Sequence, residues 1–581
     1  MKYYCNPINV NYRYQVIREP EQKKISIARE AADPSLLYYK GKYYIFASMT
    51  LGVWMSEDMV TWENHPLPAE LPLYDYAPDV RVIGEYVYFS ASNWSRPCDF
   101  YRTKDVLNGP YEKIEGSFPF WDPNLFADDD GRIYFYWGCE STTPIYGVEL
   151  DPESMHPIGE TKELFFGDPY RHGYERFGEE HSLLPPIHMP YIEGAWMNKR
   201  QGKYYLQYAC PGTEFNIYAD GVYVSEHPLG PFVPARNNPY SYKPGGFLTG
   251  AGHGSTLEDE KGRLWHAATM RISMNHKFER RVGLWPAGID RDGELFCNQR
   301  YGDWPRAVRE NETDPWRDPE WYLLSYGKRA SASSFEEGHE AALAADENVQ
   351  TWWRAAGSQP GEWICLDLGE TQRVHAVQIN FADDRIEFPE AEKLLDEQRN
   401  RYIVEKDFVS RWLLEGSEDG LHFQTIADKT EAVSDLPHDL IVIEEGIICR
   451  YLKLTVLEMP FGQNACVSGL RAFGKGNGEK PEIPVFHAVR IGDLDMQVTI
   501  GQQKNTVGYN ILWGSDPEKL YHSYQVFGTE QTVGALVKEE DYFVRVDAFN
   551  ENGITEGSIQ KLLKAYGDNE GNIKREIQIK G

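Results

Sequence analysis

The first 300 residues of the chain repeat one local pattern five times. In each copy an acidic residue or a histidine stands beside a small residue or proline, and a glycine turn and an aromatic strand follow. The five key residues are Asp33, Asp79, Asp122, Glu193 and His253. Each copy has the alternating strands and tight turn of a β-hairpin, and a second phrase, as in VWMSEDMVTW and VYVSEHPLGPF, recurs later in the copies. The repeat therefore predicts a five-bladed β-propeller.

Three of the key residues are carboxylic acids that a propeller would bring together. The first strand of each blade lines the central axis, so residues at matching positions converge on one pocket. Hydrolysis of a glycosidic bond needs one carboxylic acid and one carboxylate. Any one of Asp33, Asp122 and Glu193 could be a turn residue. Three acids at one register of a repeat instead indicate a sugar-cleaving site.

The motifs around these residues resemble glycoside hydrolase family 43 over about residues 20–305. They are ADPS, WDPNLF with DDDGRIYFYWG, IEGAW with GKYYLQYA, and GHGS with a later Trp-His pair. The resemblance implies an inverting enzyme in which Asp33 is the general base and Glu193 the general acid. It implies that Asp122 raises the pKa of that acid and orients it. Ala195 stands where family members often carry proline, a departure that concerns the subgroup rather than the mechanism.

The same resemblance suggests further binding residues. It implies that His253 faces the axis near the substrate and binds a water or a calcium ion, and that Arg280 touches the sugar, with Arg281 as the competing assignment. Three tryptophans near blade starts or loop ends are candidates to wall a sugar subsite, with core packing as the equal alternative: Trp54, Trp94 and Trp121. The insertion at residues 167–191 is expected either to shape specificity or to pack on a neighbouring domain.

No cofactor is expected to be required. A structural calcium ion is predicted as an option near His253 or in the module that follows the propeller. A metal-dependent enzyme built on His181, His188 and His253 fits poorly, because no paired ligand motif such as HExxH accompanies them.

Two further modules are predicted after the propeller, which we place at residues 1–315. Residues 322–476 resemble a discoidin or coagulation-factor type C domain, the jelly-roll sandwich of carbohydrate-binding module family 32, through ASASSFEEGHEAALAADENVQTWWRA and GEWICLDLGETQRVHAVQINF. Residues 480–567 resemble a fibronectin type III sandwich through GYNILWGSDPEKL and YFVRVDAFNENGITEGS, and a polar tail occupies 568–581. The predicted fold class is all-β, with a five-bladed β-propeller and two C-terminal β-sandwich domains. Sugar binding and docking remain equal options for the first sandwich, and a spacer role is expected for the second.

Net charge, cysteine spacing and the N-terminal sequence limit the expected binding partners, disulfide content and cellular location. Asp and Glu number 89 against 59 Lys and Arg, a net charge of −30, so nucleic acid and anionic membranes are not expected partners. The eight cysteines form no CxxC pair, and most are expected to be buried thiols. The N-terminus lacks the pattern of a signal peptide, which favours the cytoplasm; a secreted or periplasmic protein is the alternative if a signal peptide has been removed.

The leading hypothesis is an exo-acting glycoside hydrolase. The resemblance implies release of α-L-arabinofuranosyl or β-D-xylosyl units from plant-polysaccharide oligosaccharides. A galactan-cleaving relative of the same family and a non-catalytic glycan-binding protein are the alternatives. A decayed enzyme tends to lose a carboxylate, and all three are present here.

Overall fold

The computed structural model describes residues 1–19, 24–68, 71, 76–92, 99–114, 118–183, 189–312, 314–395 and 400–564. Regular structure in these ranges is nearly all β-strand, which confirms the all-β prediction. One helical turn, α1, spans Ala391–Leu394, and 3₁₀ turns span Gly173–Glu175, Glu179–His181, Ala341–Ala345 and Pro460–Gly462. No helix in the described ranges is long and apolar enough to cross a membrane.

The chain begins with three strands that lie outside the blades. They are β1 (Lys2–Tyr4), β2 (Arg13–Glu19) and β3 (Lys24–Glu30). β2 and β3 form an antiparallel hairpin. β1 pairs with a strand at residues 306–308, which follows the last blade.

Five antiparallel sheets of at least four strands follow in chain order. The first blade contains β4 (Ala32–Tyr39), β5 (Lys42–Ser48), β6 (Gly52–Ser56) and β7 (Glu63–Pro66). The second contains β8 (Tyr76–Ile83), β9 (Tyr86–Ser92), β10 (Phe100–Thr103) and β11 (Glu112–Ile114). The third contains β12 (Asn124–Ala127), β13 (Ile133–Trp137), β14 (Ile145–Leu150) and β15 (Pro157–Phe165).

The last two blades complete the set. The fourth contains β16 (Glu193–Arg200), β17 (Lys203–Cys210), β18 (Ala219–Ser225), β19 (Val233–Pro234) and the short β20 (Ser241–Tyr242). The fifth contains β21 (Thr249–Glu258), β22 (Leu264–Arg271), β23 (Arg280–Ile289) and β24 (Leu295–Cys297).

Hydrogen bonds between neighbouring first strands join the sheets into a ring. In each bond a side chain of one blade meets the backbone of the next: Ser35 with Val80 (3.1 Å), Asp79 with Leu125 (2.7 Å), Asn124 with Met197 (2.8 Å), Trp196 with Thr256 (3.1 Å) and Ser255 with Leu36 (2.9 Å). The fifth bond returns to the first blade. The five sheets are therefore linked in a closed circle, consistent with the predicted five-bladed propeller.

A left-handed residue near the start of each blade shows that the predicted alignment of the blades needs correction. One residue near the start of each blade has a left-handed backbone: Asp33 (φ 51°), Ala77 (φ 48°), Asp122 (φ 53°), Gly194 (φ 61°) and His253 (φ 50°). Strand pairing slips beside this residue in four of the five blades. Such a bulge adds residues to one strand and changes which side chain faces the axis. Asp79 lies two residues beyond its bulge and Glu193 one residue before, so the prediction of one shared register was wrong for both.

Asp79 is consequently a structural residue rather than a pocket residue. It is buried, accepts hydrogen bonds from the Leu125 amide and the Asn124 side chain, and lies 3.9 Å from the Arg81 guanidinium. Burial raises the pKa of Asp79 to about 6, although Arg81 opposes the shift. Its contacts hold the second and third blades together.

Eight strands of the second module form one antiparallel sheet, and a ninth strand leaves it. After β25 (Arg306–Val308), its strands are β26 (Tyr322–Leu323), β27 (Arg329–Ala332), β28 (Trp353–Arg354), β29 (Glu362–Phe381), β30 (Arg401–Ile403), β31 (Arg411–Ser417), β32 (Gln424–Asp428), β33 (His438–Glu458) and β34 (Cys466–Lys475). A core of buried hydrophobic side chains that includes Trp353 and Trp412 packs against this sheet. β30 instead pairs with β2 of the N-terminal hairpin.

The third module contains two sheets. One is formed by β35 (Phe486–Arg490), β36 (Met496–Ile500) and β39 (Glu530–Val533), and the other by β37 (Gly508–Gly514), β38 (His522–Val526), β40 (Tyr542–Asn550), β41 (Gly553–Thr555) and β42 (Ile559–Leu562). Its core is continuous with that of the fourth blade. The fibronectin type III assignment stays a prediction, and the predicted polar tail lies outside the described residues.

The insertion before Glu193 packs on this third module. The Gly173 amide donates to the Leu536 carbonyl at 2.8 Å, and the Arg176 guanidinium pairs with Asp495 at 2.6 Å. The Tyr524 hydroxyl donates to Glu180. Docking, one of the two predicted roles, is therefore observed for this part of the insertion; residues 184–188 lie outside the described ranges.

Candidate active site

Asp33 lies on the axis at the start of the first blade and is held as a carboxylate. Its Oδ2 accepts a hydrogen bond from the Ser48 hydroxyl at 2.6 Å, and its Oδ1 lies 3.2 Å from Arg280 Nη1. Burial alone would raise the pKa of Asp33, but the charges of Arg280 and His253 outweigh burial and hold that pKa below its ordinary value. Asp33 is therefore ionised near neutral pH, as a base must be.

Asp122 and Glu193 form a close pair on the neighbouring blades. Oxygen atoms of both carboxyls and the Cys139 sulfur lie within 4.8 Å of one another. Cys139 Sγ contacts Glu193 Oε2 at 3.1 Å, and the Tyr218 hydroxyl donates to Glu193 Oε1 at 2.5 Å. Burial, with the charges of Glu193 and Asp33, raises the pKa of Asp122 to about 7. Asp122 therefore keeps a proton to higher pH than an ordinary aspartate does, and it holds that proton beside Glu193.

His253 lies between the base and this pair. Its Nδ1 is 3.4 Å from Asp33 Oδ1 and 3.9 Å from Asp122 Oδ2. Burial disfavours the charged imidazolium, but the nearby carboxylates outweigh burial and raise the pKa of His253. Gly194 allows the close approach, because a Cβ there would lie 2.7 Å from the imidazole ring. The structure therefore brings Asp33, Asp122, Glu193 and His253 together at the axis.

Arg280 is the arginine that reaches the acids, and Arg281 points elsewhere. Arg280 Nε donates to Glu30 at 2.9 Å while its Nη1 contacts Asp33. The Arg281 Nε instead approaches His438 Nε2 at 2.8 Å, at the boundary with the second module. Of the two arginines that the sequence offered, Arg280 is the one that belongs to the site.

The part of the sequence that contains these residues matches one known family. Residues 25–295 match the family described as Glycosyl hydrolases family 43. A Humicola insolens protein described as xylosidase/arabinosidase 43A is 30% identical over 238 residues, which are 34% of this chain and 68% of that protein. The chain belongs to glycosyl hydrolase family 43. The prediction of a glycoside hydrolase is thereby confirmed at the level of the family.

Two other relatives have descriptions that name different glycosidase activities. A Vibrio sp protein described as xylan 1,3-beta-xylosidase is 29% identical over 334 residues, 51% of this chain and 56% of that protein. An Aspergillus niger protein described as beta-D-galactofuranosidase xynD is 24% identical over 236 residues, 35% of this chain and 62% of that protein. The chain thus spans little more than half the length of these two relatives. Residues 329–393 match the F5/8 type C domain, which supports the discoidin-like prediction.

Three aromatic rings lie beside the acids at the axis, and the sequence analysis had indicated only one of these rings, Trp121. Trp121 is half-buried, and its ring lies 6.4 Å from that of Tyr76. Tyr76 in turn lies 6.1 Å from Phe278, centroid to centroid. Tyr76, Trp121 and Glu193 each stand one residue before the left-handed residue of their blade. Matching by this bulge, rather than by acidic residues, would have indicated Tyr76.

Trp54 does not line the site. It is fully buried between the first-blade strands, packs near Tyr12, and its indole N–H donates to Asn11 at 2.8 Å. The subsite alternative for Trp54 was therefore wrong, because strand β6 holds the side chain inside the blade core. Trp94 lies outside the described residues.

A Trp54→Phe variant should therefore lose stability without losing substrate affinity. The smaller ring leaves a void and removes the indole hydrogen bond, a cost of about 1–3 kcal/mol in unfolding free energy. Denaturant unfolding and the KM for an aryl glycoside measure the two effects. A raised KM with unchanged stability would return Trp54 to the pocket.

The metal predictions find limited support in the donor groups. Within the described ranges, Asp122, Cys139 and Glu193 are the one group of three potential ligands close enough to share an ion. A thiol does not suit calcium, which prefers six or more oxygen ligands. The calcium site near His253 or in the second module stays a prediction. His181 serves structure, since its ring contacts the Arg176 carbonyl and the Tyr242 hydroxyl, and His188 lies outside the described residues.

Proposed function

We propose that the chain is an inverting exo-glycoside hydrolase that releases α-L-arabinofuranosyl or β-D-xylosyl units from plant-polysaccharide oligosaccharides. The observation that carries the proposal is the convergence of three acids with different charge states. Asp33 is held ionised by Arg280, whereas burial and like charge raise the pKa of Asp122, next to Glu193, to about 7. One ionised carboxylate and one proton-holding pair are the two parts that glycoside hydrolysis needs.

Each acid then has one role. Asp33 takes a proton from the attacking water, which displaces the leaving group from the opposite face of the sugar. Glu193 delivers a proton to the leaving oxygen. Asp122 keeps that proton available, because its negative charge would disfavour ionisation of its partner. His253 and Arg280 supply the positive charges that hold Asp33 and Asp122 in place, and the rings of Tyr76, Trp121 and Phe278 offer apolar faces for a sugar.

The substrate class is tested with a panel of nitrophenyl glycosides. The α-L-arabinofuranoside and β-D-xyloside are expected to be cleaved, and the β-D-galactoside tests the galactan alternative. The β-D-galactofuranoside belongs in the panel because of the description of the Aspergillus niger relative. Proton NMR of the first product should show the anomer opposite to that of the substrate. A retained first product would exclude the role of Asp33, and no hydrolysis in the whole panel would favour the glycan-binding alternative.

An Asp122→Asn variant should shift the pH profile. We expect the active form of the wild-type chain to hold a proton on this pair, so kcat/KM should fall as pH rises through about 7. Asparagine removes the like charge that retains this proton. The basic limb should therefore move to lower pH, with a loss of about 10- to 100-fold at pH 7.5.

Asp79→Asn is the matched control for this shift. Burial raises the pKa of Asp79 as well, to about 6, but Asp79 lies in the ring of contacts between blades rather than in the pocket. Its pH profile should match that of the wild type. An unchanged profile in Asp122→Asn would remove Asp122 from the proton-holding pair.

A further inference from the structure

A strand of the second module reaches the propeller pocket. β30 adds to the N-terminal hairpin as a third strand, with Arg401 opposite Ile17 and Ile403 opposite Gln15. The pairing is flanked by two more backbone bonds, from the Arg18 amide to Asn400 at 2.7 Å and from the Val404 amide to Tyr14 at 2.8 Å. The position of Arg401 is therefore fixed by a ladder that crosses the boundary between modules.

The hairpin itself is anchored to the same module. Arg29, on β3, pairs with Asp383 and with Asp435, each at 2.9 Å, and both acids belong to the second module. Successive side chains of a strand point to opposite faces. Glu30, the next residue, accordingly turns to the pocket side, where Arg280 and Arg401 contact it.

The Arg401 side chain is occupied by protein groups. Its Nη2 lies 3.2 Å from Glu30 Oε2, and its Nη1 donates to the Tyr76 hydroxyl. Its guanidinium carbon lies 5.3 Å from the ring centroids of both Tyr76 and Phe278, and its side chain is 13% exposed. Because Glu30, Tyr76 and Phe278 already contact this guanidinium, we expect it to hold these neighbours in place rather than to contact the substrate.

Glu30 links Arg401 to the base. Glu30 Oε1 accepts a hydrogen bond from Arg280, and Glu30 Oε2 lies beside Arg401. Arg280 divides its donors between Glu30 and Asp33. The result is a buried row of alternating charges, Arg401, Glu30, Arg280 and Asp33. In such a row, loss of the outer arginine leaves Glu30 with Arg280 as its closest cation and draws Arg280 away from Asp33.

We propose that Arg401 is a positioning residue for the catalytic base and that the second module thereby completes the active site. The inference rests on the proposed role of Asp33. Arg401 balances the charge of Glu30, so that Arg280 remains on Asp33, and it holds the Tyr76 ring at the pocket wall. The discoidin-like module then contributes to catalysis through its own side chain, independently of whether its loops bind glycan.

The pH dependence of kcat/KM tests the proposal in the full chain. The charged and titratable groups around Asp33 are Arg280, His253, Asp122, Tyr76 and Tyr218. With Arg401→Met, weaker support from Arg280 should move the acidic limb to higher pH and lower kcat about 10- to 100-fold, with little change in KM. Arg401→Lys should give a smaller shift, because lysine keeps the charge but not the two-pronged geometry. If the methionine variant does not fold, the shift of the acidic limb in Arg401→Lys tests the proposal instead.

Glu30 supplies a shift of the opposite sign. Glu30→Gln frees Arg280 for Asp33, so the acidic limb should move to lower pH. If Arg401 acts through Glu30, adding Arg401→Met to Glu30→Gln should produce little further change, a non-additive double-mutant cycle. Additive effects would overturn the route through Glu30.

Two controls separate the possible failures. Arg450→Met removes a matched arginine within the second module, paired with Asp367 at 2.6 Å, and should leave the profile unchanged. Asp33→Asn should abolish activity. If Asp33→Asn stays active, the proposed function is wrong. If Asp33→Asn is inactive but both Arg401 variants match Arg450→Met, the function stands and the inference about Arg401 is overturned.

Discussion

Replacement of Glu193 by glutamine is expected to lower kcat by about 10²- to 10⁴-fold on natural oligosaccharides, because the amide cannot protonate the leaving oxygen. Glutamine keeps the acceptor for the Tyr218 hydroxyl, so the pocket should retain its shape. The loss should shrink on aryl glycosides with acidic phenols, which leave without a proton. A plot of log kcat against leaving-group pKa should therefore be steeper for the variant than for the wild-type chain.

Glu258→Gln is the matched control for this series. Glu258 ends the first strand of the fifth blade and pairs with Arg200 at the surface, away from the axis. Its kinetics should equal those of the wild type. An equal loss of kcat for Glu193→Gln on every leaving group would contradict proton donation by Glu193 and indicate a binding role.

Replacement of Asp33 by glycine is expected to lower kcat/KM by about 10²- to 10⁴-fold, because it removes the carboxylate that we propose as the general base. Glycine is chosen because the backbone at this position has φ 51°, which glycine adopts without strain. Alanine would add a conformational cost of about 1–2 kcal/mol and confuse stability with chemistry.

Azide should restore turnover in Asp33→Gly. Azide needs no deprotonation and can enter the space left by the carboxylate, where it attacks from the face that water uses. The glycosyl azide should have the inverted configuration, which NMR identifies. A retained azide product would place the nucleophile's attack on an enzyme-bound intermediate, and failure of azide in a folded variant would weaken the assignment of Asp33 as a base.

The sequence predicted the blades because each repeat contains its own strands and turns, and local patterns are sufficient for that. It also placed Asp33 and Asp122 at matching positions, because each is the left-handed residue of its blade and stands in a proline-flanked motif. It misaligned Asp79 because the bulge shifts the register without any composition signal. Trp54 could not be separated from a pocket residue, since only the packing of β6 decides which way its ring lies.

The contacts between modules were the least predictable part of the site. Arg401 and Glu30 are separated by more than 300 residues, and neither stands in a motif that marks it for catalysis. Cys139 and Tyr218 reach Glu193 from the third and fourth blades, and no repeat phrase aligns them. Such pairs depend on how completed sheets dock, which the periodicity of a single strand does not contain.

The pairing of β2 with β30 also orders events during synthesis. β2 leaves the ribosome well before its outer partner at residues 401–403, which follows only after all five blades and much of the second module. Ladder contacts of this separation are slow to close, and until they close one edge of the hairpin is unpaired. Nascent chains that stop after the fifth blade would thus carry the axial acids together with an open strand edge. The same strand, β30, would then both cover that edge and supply Arg401.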